Sequence, residues 1–413
     1  MYTLSKSKYS FIKTFLLGIL AILLAVSIVM FPDAAFQASV KGLKIWWDII
    51  FPALLPFFIT SEILLGFGVV HFLGVLLEPL MKPLFNVPGA GAFVLAMGFA
   101  SGYPMGAKLT ARLREQNMIS KIEGERLVSF TSTSDPLFLF GAIAVGFFHD
   151  ADLGIILASI HYISSIIVGL IMRFYKKNNQ LISPVKVQKT LKNNLIIKAF
   201  KEMYQARLKD GRKLGKLMGD AVMSSMETLL MIGGFIMIFS VILTILDQVK
   251  ITLLFSKIIS LLLLSLGISE QFSSSVIFGF FEVTLGAKSV SEIATSIPLI
   301  QKIAIVGAIS AWSGISVHAQ VAAILQKTDI KYSPYLFARL MHTILAFTLS
   351  IVALKHLNID SIANSLPAFM YQLSNHDLRL SVWDSLNYLS ISLLVFTIVL
   401  FLLSLLFHIL KKN

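Results

Sequence analysis

The sequence predicts an all-α integral membrane protein built from two inverted-topology repeats, with re-entrant hairpins, broken helices and about eight full crossings. Three observations lead there. The 413-residue chain is 56% hydrophobic and only 14% charged, with a mean hydropathy of +0.82, whereas a soluble domain is about 25% charged. Its apolar runs repeatedly approach the roughly 20 residues that a helix needs to cross a bilayer. A polar, helix-breaking stretch inside one apolar region, GFASGYPMGAK over Gly98–Lys108, returns in the second half as GFFEVTLGAK over Gly279–Lys288.

Phe15–Phe31 forms the first span. Lys6, Lys8 and Lys13 before it give the outline of a signal peptide, but the run is long for one and no small-x-small cleavage site follows. An N-terminal anchor helix within residues 1–42 is expected instead. A loop with Asp33, Lys41 and Lys44 leads to the second span, from Trp46 and Trp47 to Val70. Paired tryptophans fit a headgroup boundary, and Pro52 and Pro56 predict a kink or an unwound turn. His71–Phe85 is short and reads as an interfacial helix. From Pro88 the chain runs to Ser101, breaks at Gly102-Tyr103-Pro104 and resumes to about Arg114. Each arm is too short to cross, so this is a re-entrant hairpin. Leu127–Phe148 crosses next but starts as SFTSTSDP, a second broken element, and Leu153–Tyr175 is a plain span.

Residues 176–219 form a polar linker: from Arg173 to Lys216 there are 13 lysines and arginines against two acids, Glu202 and Asp210. The order of elements then repeats. Ala221–Leu246 carries Glu227, Ile251–Gly267 is short, Ser273–Ile297 holds the second break, Ile300–Leu325 carries SAWSGISVHAQ, and Pro334–Leu354 is plain. Lys355–Trp383 is a loop, and Leu386–Leu410 is the last span. The domain reading is an anchor over 1–42, a first repeat over 43–175, a linker over 176–219, a second repeat over 220–357, and a loop with a terminal helix over 358–413. TSEILLGFG parallels SMETLLMIGG, which pairs Glu62 with Glu227. Placing basic loops in the cytoplasm puts both termini and the linker inside. It starts the first repeat outside and the second inside, and accounts for the net charge of +13 without nucleic acid.

The breaks are where a binding site belongs. Irregular backbone at membrane depth is tolerated only where it is buried in protein or lines a wet cavity, and secondary transporters place substrate sites at such breaks between repeats. A new helix N-terminus offers free N–H groups and partial positive charge. Those at Gly102–Met105 and Thr284–Gly286, with Lys108 and Lys288 near them, favour a small anion. Either those lysines serve the site or they snorkel to the interface. Gly102 lies on the substrate path, and Ser101, Thr131, Ser132 and Ser134, and in the second half Thr284, Ser310 and Ser313, either line that path or bond back to helix carbonyls. Asp135 offers acceptors to a substrate or a coupling cation, and Glu282 serves the site, couples an ion or pairs with a lysine. Tyr103 and Trp312 are stacking candidates or interfacial anchors, and His318 is a proton carrier or a satisfied core histidine. Glu62 and Glu227 are candidates for ion coupling. No cysteine is present, and HExxH, GxSxG, Walker A and GxGxxG motifs are absent from suitable contexts. No enzyme activity, cofactor or metal is expected.

LKIWWDIIFPALLPFFI (Leu43–Ile59), MGFASGYPMGAKLTARL (Met97–Leu113) and ERLVSFTSTSDPLFLFGAIAVGFF (Glu125–Phe148) resemble the YlbJ family of sporulation integral membrane proteins, also called SpoVV. GFFEVTLGAK and SAWSGISVHAQ fit it too, and the likeness covers nearly the whole chain. The family carries two nucleoside-recognition (Gate) domains similar to parts of concentrative nucleoside transporters. The resemblance therefore implies a nucleoside-transporter-like fold and the outer forespore membrane of a spore-forming bacterium. It also implies delivery of dipicolinate, a small aromatic dicarboxylate, from the mother cell towards the forespore. A nucleoside or other solute transporter, and a non-transporting scaffold for spore envelope assembly, are the competing expectations. The partners expected are a small anion and the lipid bilayer. The sequence leaves oligomeric state, coupling ion and direction open.

Overall fold

The computed structural model describes residues 21–176 and 195–356, together with Phe15, Gly18 and Ile19. The loop expected over Lys355–Trp383, apart from its first two residues, and the last span, Leu386–Leu410, lie outside those residues. The described residues are helical and contain no strand.

Helix α1 (Ala21–Met30) turns at Phe31 into α2 (Pro32–Ile45), which continues through a π-helical turn, Trp46–Ile50, into α3 (Phe51–Gly66). The stretch with Asp33, Lys41 and Lys44 is thus helix rather than loop. Pro32 supplies the preset φ that favours a helix start. The prolines also act differently from expectation. Pro56 sits inside an unbroken α3, and the adjustment falls upstream, where the Phe51 N–H reaches back five residues to the Trp46 carbonyl. The tryptophans separate in role: Trp46 is buried and donates to the Leu229 carbonyl at 2.8 Å, while Trp47 is 58% exposed.

Helix α4 (Val69–Leu80) precedes the first hairpin, α5 (Gly91–Ser101) and α6 (Tyr103–Glu115). Helix α7 (Lys121–Thr131) opens on a capping box in which Ser120 and Glu123 each accept from the other's backbone N–H. It ends in the extended run 132–135, after which Pro136 begins a helix that becomes π-helical over Phe138–Phe147. Proline keeps the residue before it out of the helical region, so the break at Asp135 is written in the sequence. Helix α8 (Asp152–Met172) closes the first unit. Helix α9 (Leu195–Asp210) packs on α4 through Lys198–Glu78 and Phe72–Phe200 contacts.

The second unit follows the same order: α10 (Leu214–Gln248), α11 (Ile251–Ser265), the hairpin α12 (Ser273–Phe281) and α13 (Val283–Ser291), the broken pair α14 (Leu299–Trp312) and α15 (Gly314–Leu325), and α16 (Tyr332–His356). Contacts between the units are reciprocal. Helix α6 meets α15, and α13 meets the Phe138–Phe147 arm; α7 meets α16, and α14 meets α8; α3 meets α10, and α8 meets α16. Pairs that exchange in this way are what a two-fold relation between repeats produces.

Among the described residues, five helices are long and apolar enough to cross a membrane: Pro32–Gly66, Asp152–Met172, Leu214–Gln248, Leu299–Leu325 and Tyr332–Val352. The broken element expected over Leu127–Phe148 is seen as two short arms, the end of α7 and the Phe138–Phe147 arm, on either side of the break at 132–135. The largest core packs the Phe138–Phe147 arm and α8 against α10 and α12–α14, through residues such as Leu139, Ile143, Leu229, Phe272 and Val306. Exposed apolar side chains such as Leu254, Phe255, Leu261 and Ile344 lie on α11 and α16, as expected of a lipid-facing surface, where burial against protein is not required.

Candidate functional site

Both hairpins break against the broken element of their own unit. Gly102 has φ +84° and ψ −170°, a region open essentially to glycine alone, and a Cβ there would stand 2.7 Å from an Asp135 carboxylate oxygen. The second break repeats the close approach with its partners exchanged. There Gly314, φ +80°, lies against the Glu282 backbone, and a Cβ would meet Glu282 Cα and the Phe281 carbonyl at 3.0 Å each. Ser313 beside it holds φ +73° without being glycine, an uncommon state.

The two breaks are joined through Tyr103. Its hydroxyl contacts both Ser134 Oγ and the Ser310 carbonyl. A carbonyl only accepts, so the Tyr103 proton goes to Ser310 and the Ser134 hydroxyl donates to the phenol oxygen. One side chain of the first hairpin thereby ties the first broken span to the second. Around it, the Ser134 N–H donates to His161 Nε2 at 3.1 Å, and Tyr162 donates to the Ser134 carbonyl at 3.0 Å. Asp135 caps the following helix by accepting from the Phe138 N–H at 2.8 Å.

The sequence-predicted residues sort by position. Ser132, Ser134, Asp135, Tyr103, Ser310 and Ser313 are buried in this junction, with Gly102 and partly exposed Ser101 at its edge. Thr131 bonds back to the Leu127 carbonyl, the local alternative. Glu282 caps α13 by accepting from the Leu285 N–H at 2.8 Å, with buried Thr284 in the same turn. The positive end of that helix therefore already holds a carboxyl group of the protein itself. Trp312 donates to the Phe280 carbonyl at 3.0 Å and stacks on Phe280 at 5.5 Å and 7°. His318 has both nitrogens engaged, with Nε2 against the Trp312 carbonyl and Nδ1 against Tyr332 Oη, which suits a satisfied neutral histidine. Lys108 is exposed, and Lys288 pairs with Glu292 at 3.3 Å; neither reaches the junction. Glu62 accepts from Ser224 at 3.2 Å, while Glu227 is exposed.

Three residues that the sequence did not single out stand at the centre: Arg339, His342 and His161. Arg339 on α16 is fully buried and donates to the Ser132 and Ser129 carbonyls at 2.8 and 2.6 Å. Those are the last carbonyls of α7, where a helix carries partial negative charge. His342, one turn on, contacts the His161 carbonyl at 2.9 Å, and the two imidazoles lie 4.6 Å apart. An arginine inside an apolar span was the available signal, though the ARLMH stretch sits near enough to the basic loop at Lys331 to pass for a span end. Among the described residues no cluster of three or more His, Asp or Glu is arranged to hold a metal ion.

Residues 48–183 match the Gate family, described as nucleoside recognition. Over 335 residues the chain is 50% identical to the sporulation integral membrane protein YlbJ of Bacillus subtilis (strain 168), covering 81% of each chain. The chain belongs to the YlbJ family. It is an integral membrane protein of the sporulation class with a Gate domain. The Gate match takes in the first hairpin, the Ser132–Asp135 break and α8, and so covers the first unit's share of the junction. No solved structure matches the chain.

Proposed function

We propose that this member of the YlbJ family transports a small aromatic carboxylate across the membrane, dipicolinate moving from mother cell to forespore through the outer forespore membrane. The observation that carries the reading is the meeting of the two helix breaks at one buried place, tied by Tyr103. Polar backbone breaks at membrane depth are costly unless used, and substrate sites of repeat-built transporters lie at such junctions. Kinship with a sporulation membrane protein supports the setting. The Gate description favours a second reading, transport of a nucleoside.

Proteoliposomes of purified protein, given labelled dipicolinate or labelled uridine, separate the two. Saturable dipicolinate uptake blocked by excess cold dipicolinate is the expected result. Uptake of uridine alone would establish the second reading, and uptake of neither would point to a scaffold. The Lys108→Ala, Lys288→Ala double variant should transport at near the wild-type rate, because both side chains lie outside the junction. Loss of uptake in that variant at normal protein level would return the path to the lysines.

A further inference from the structure

We infer that Arg339 is the residue that takes the substrate's carboxylate, within a group of hydrogen-bond donors that have no acceptor of their own among the described residues; this rests on the transport reading above. The argument begins with charge. Arg339 is a fully buried guanidinium with no carboxylate among its partners in the described residues. Burying an ion without a counter-charge is costly, and two helix-end carbonyls supply only partial negative charge.

The hydrogen-bond accounts point the same way. Arg339 Nε, Ser132 Oγ, Thr133 Oγ1, Ser310 Oγ and His161 Nδ1 are buried and have no hydrogen-bond partner among the described residues. The His161 tautomer follows from its surroundings. Its Nε2 accepts the Ser134 N–H, so in the neutral ring Nδ1 carries the proton and is a further donor. His342 is opposite in sense: its Nε2 donates to the His161 carbonyl, so its Nδ1 is a bare acceptor.

These groups belong to one place. Arg339 bonds the Ser132 carbonyl, and Ser132 and Thr133 adjoin Ser134 in the same extended run. Ser134 in turn shares the Tyr103 hydroxyl with Ser310 and donates to His161. Buried polar groups are as a rule paired, so several donors left open around one cation describe the complement of an anion with several oxygens. A carboxylate has two acceptor oxygens with about four lone-pair sites and suits the fork of an arginine. An uncharged nucleoside would leave the cation uncompensated.

The test uses full-length protein in detergent, titrated with dipicolinate, with its uncharged dimethyl ester and with benzoate, and read by ligand-induced thermal stabilisation. Wild type should bind dipicolinate and benzoate and not the ester. Arg339→Gln should weaken dipicolinate binding by about 10- to 150-fold, the range for losing a charge-assisted bond. Should that variant fail to elute as a single folded species, Arg339→Lys and Ser310→Ala carry the test. The first keeps the charge without the fork, and each should weaken binding by about 2- to 13-fold. Folded variants that bind dipicolinate like wild type would overturn the assignment. Wild type that binds benzoate but not dipicolinate would leave the anion site standing and remove dipicolinate as substrate. Wild type that binds neither carboxylate would overturn the site itself.

Discussion

Tyr103 shows how much can depend on one hydroxyl. It is buried, and its phenol oxygen joins Ser134 to Ser310, from opposite halves of the chain. Tyr103→Phe removes the link and leaves the Ser310 carbonyl without that donor. The expected cost is about 1–3 kcal/mol of stability, read as a lower melting temperature, together with slower dipicolinate uptake. A variant with unchanged stability and uptake would show that the link is dispensable. Gly102→Ala should be worse. Any Cβ there meets Asp135, and the backbone conformation is one that alanine does not adopt. Poor accumulation of folded protein, measured by fluorescence-detected size exclusion, is the expected outcome. Sequence reading reached both residues because a glycine, a tyrosine and a proline inside an apolar run are conspicuous. It missed Arg339, whose one local signal was masked by the nearby basic loop, and His161 and His342, since what makes those two unusual is burial against each other from elements about 180 residues apart, which no local pattern encodes.

At the scale of elements, the breaks, the hairpins and their order were legible, each marked by Gly, Pro or a hydroxyl run. Continuity was less so. Charged residues at Asp33, Lys41 and Lys44 suggested a loop where α2 runs unbroken into α3, because helix length in a membrane protein is not limited to the apolar stretch. Partner choice also lay beyond the sequence. Arg114 at the end of α6 forms a two-pronged pair with Asp329 in the turn between α15 and α16, at 2.8 and 3.1 Å. The hydrogen bonds from Arg114 hold the Asp329 carboxyl below its ordinary range. A carboxyl group lowered on folding contributes stability above its unfolded pKa of about 3.9 and loses it as pH falls through the folded value. Asp329 is half exposed, so the contribution is small, on the order of 0.2–1 kcal/mol. Asp329→Asn should lower the melting temperature slightly at pH 7, and the gap from wild type should narrow as pH falls below about 3.9 and close once pH is below the folded value. A gap that persists at low pH would assign the loss to packing instead.

Across the whole molecule, the two units meet through reciprocal contacts, and the junction belongs to neither alone. Helix α16 closes it by delivering Arg339 to the end of α7. A chain that stops before α16 leaves the Ser129 and Ser132 carbonyls without those donors. It should give an unstable first unit, seen as protease sensitivity in isolated membranes compared with the full chain. Resistance equal to the full chain would show that the first unit holds its breaks without help.

The same contact bears on the order in which the protein is made. An arginine within a membrane helix costs up to roughly 2.5–3.5 kcal/mol to insert, the figure for a helix centre, and α16 is the last described span to leave the ribosome. By then α7 is already in the membrane, with its terminal carbonyls available. The acceptor precedes the charge, so α16 need not enter bare lipid to become buried; it can partition directly against a surface that the first half has prepared. Biogenesis then has a direction built into it, and swapping the two halves in the gene would reverse it, asking an uncompensated arginine to enter the bilayer before its acceptor exists.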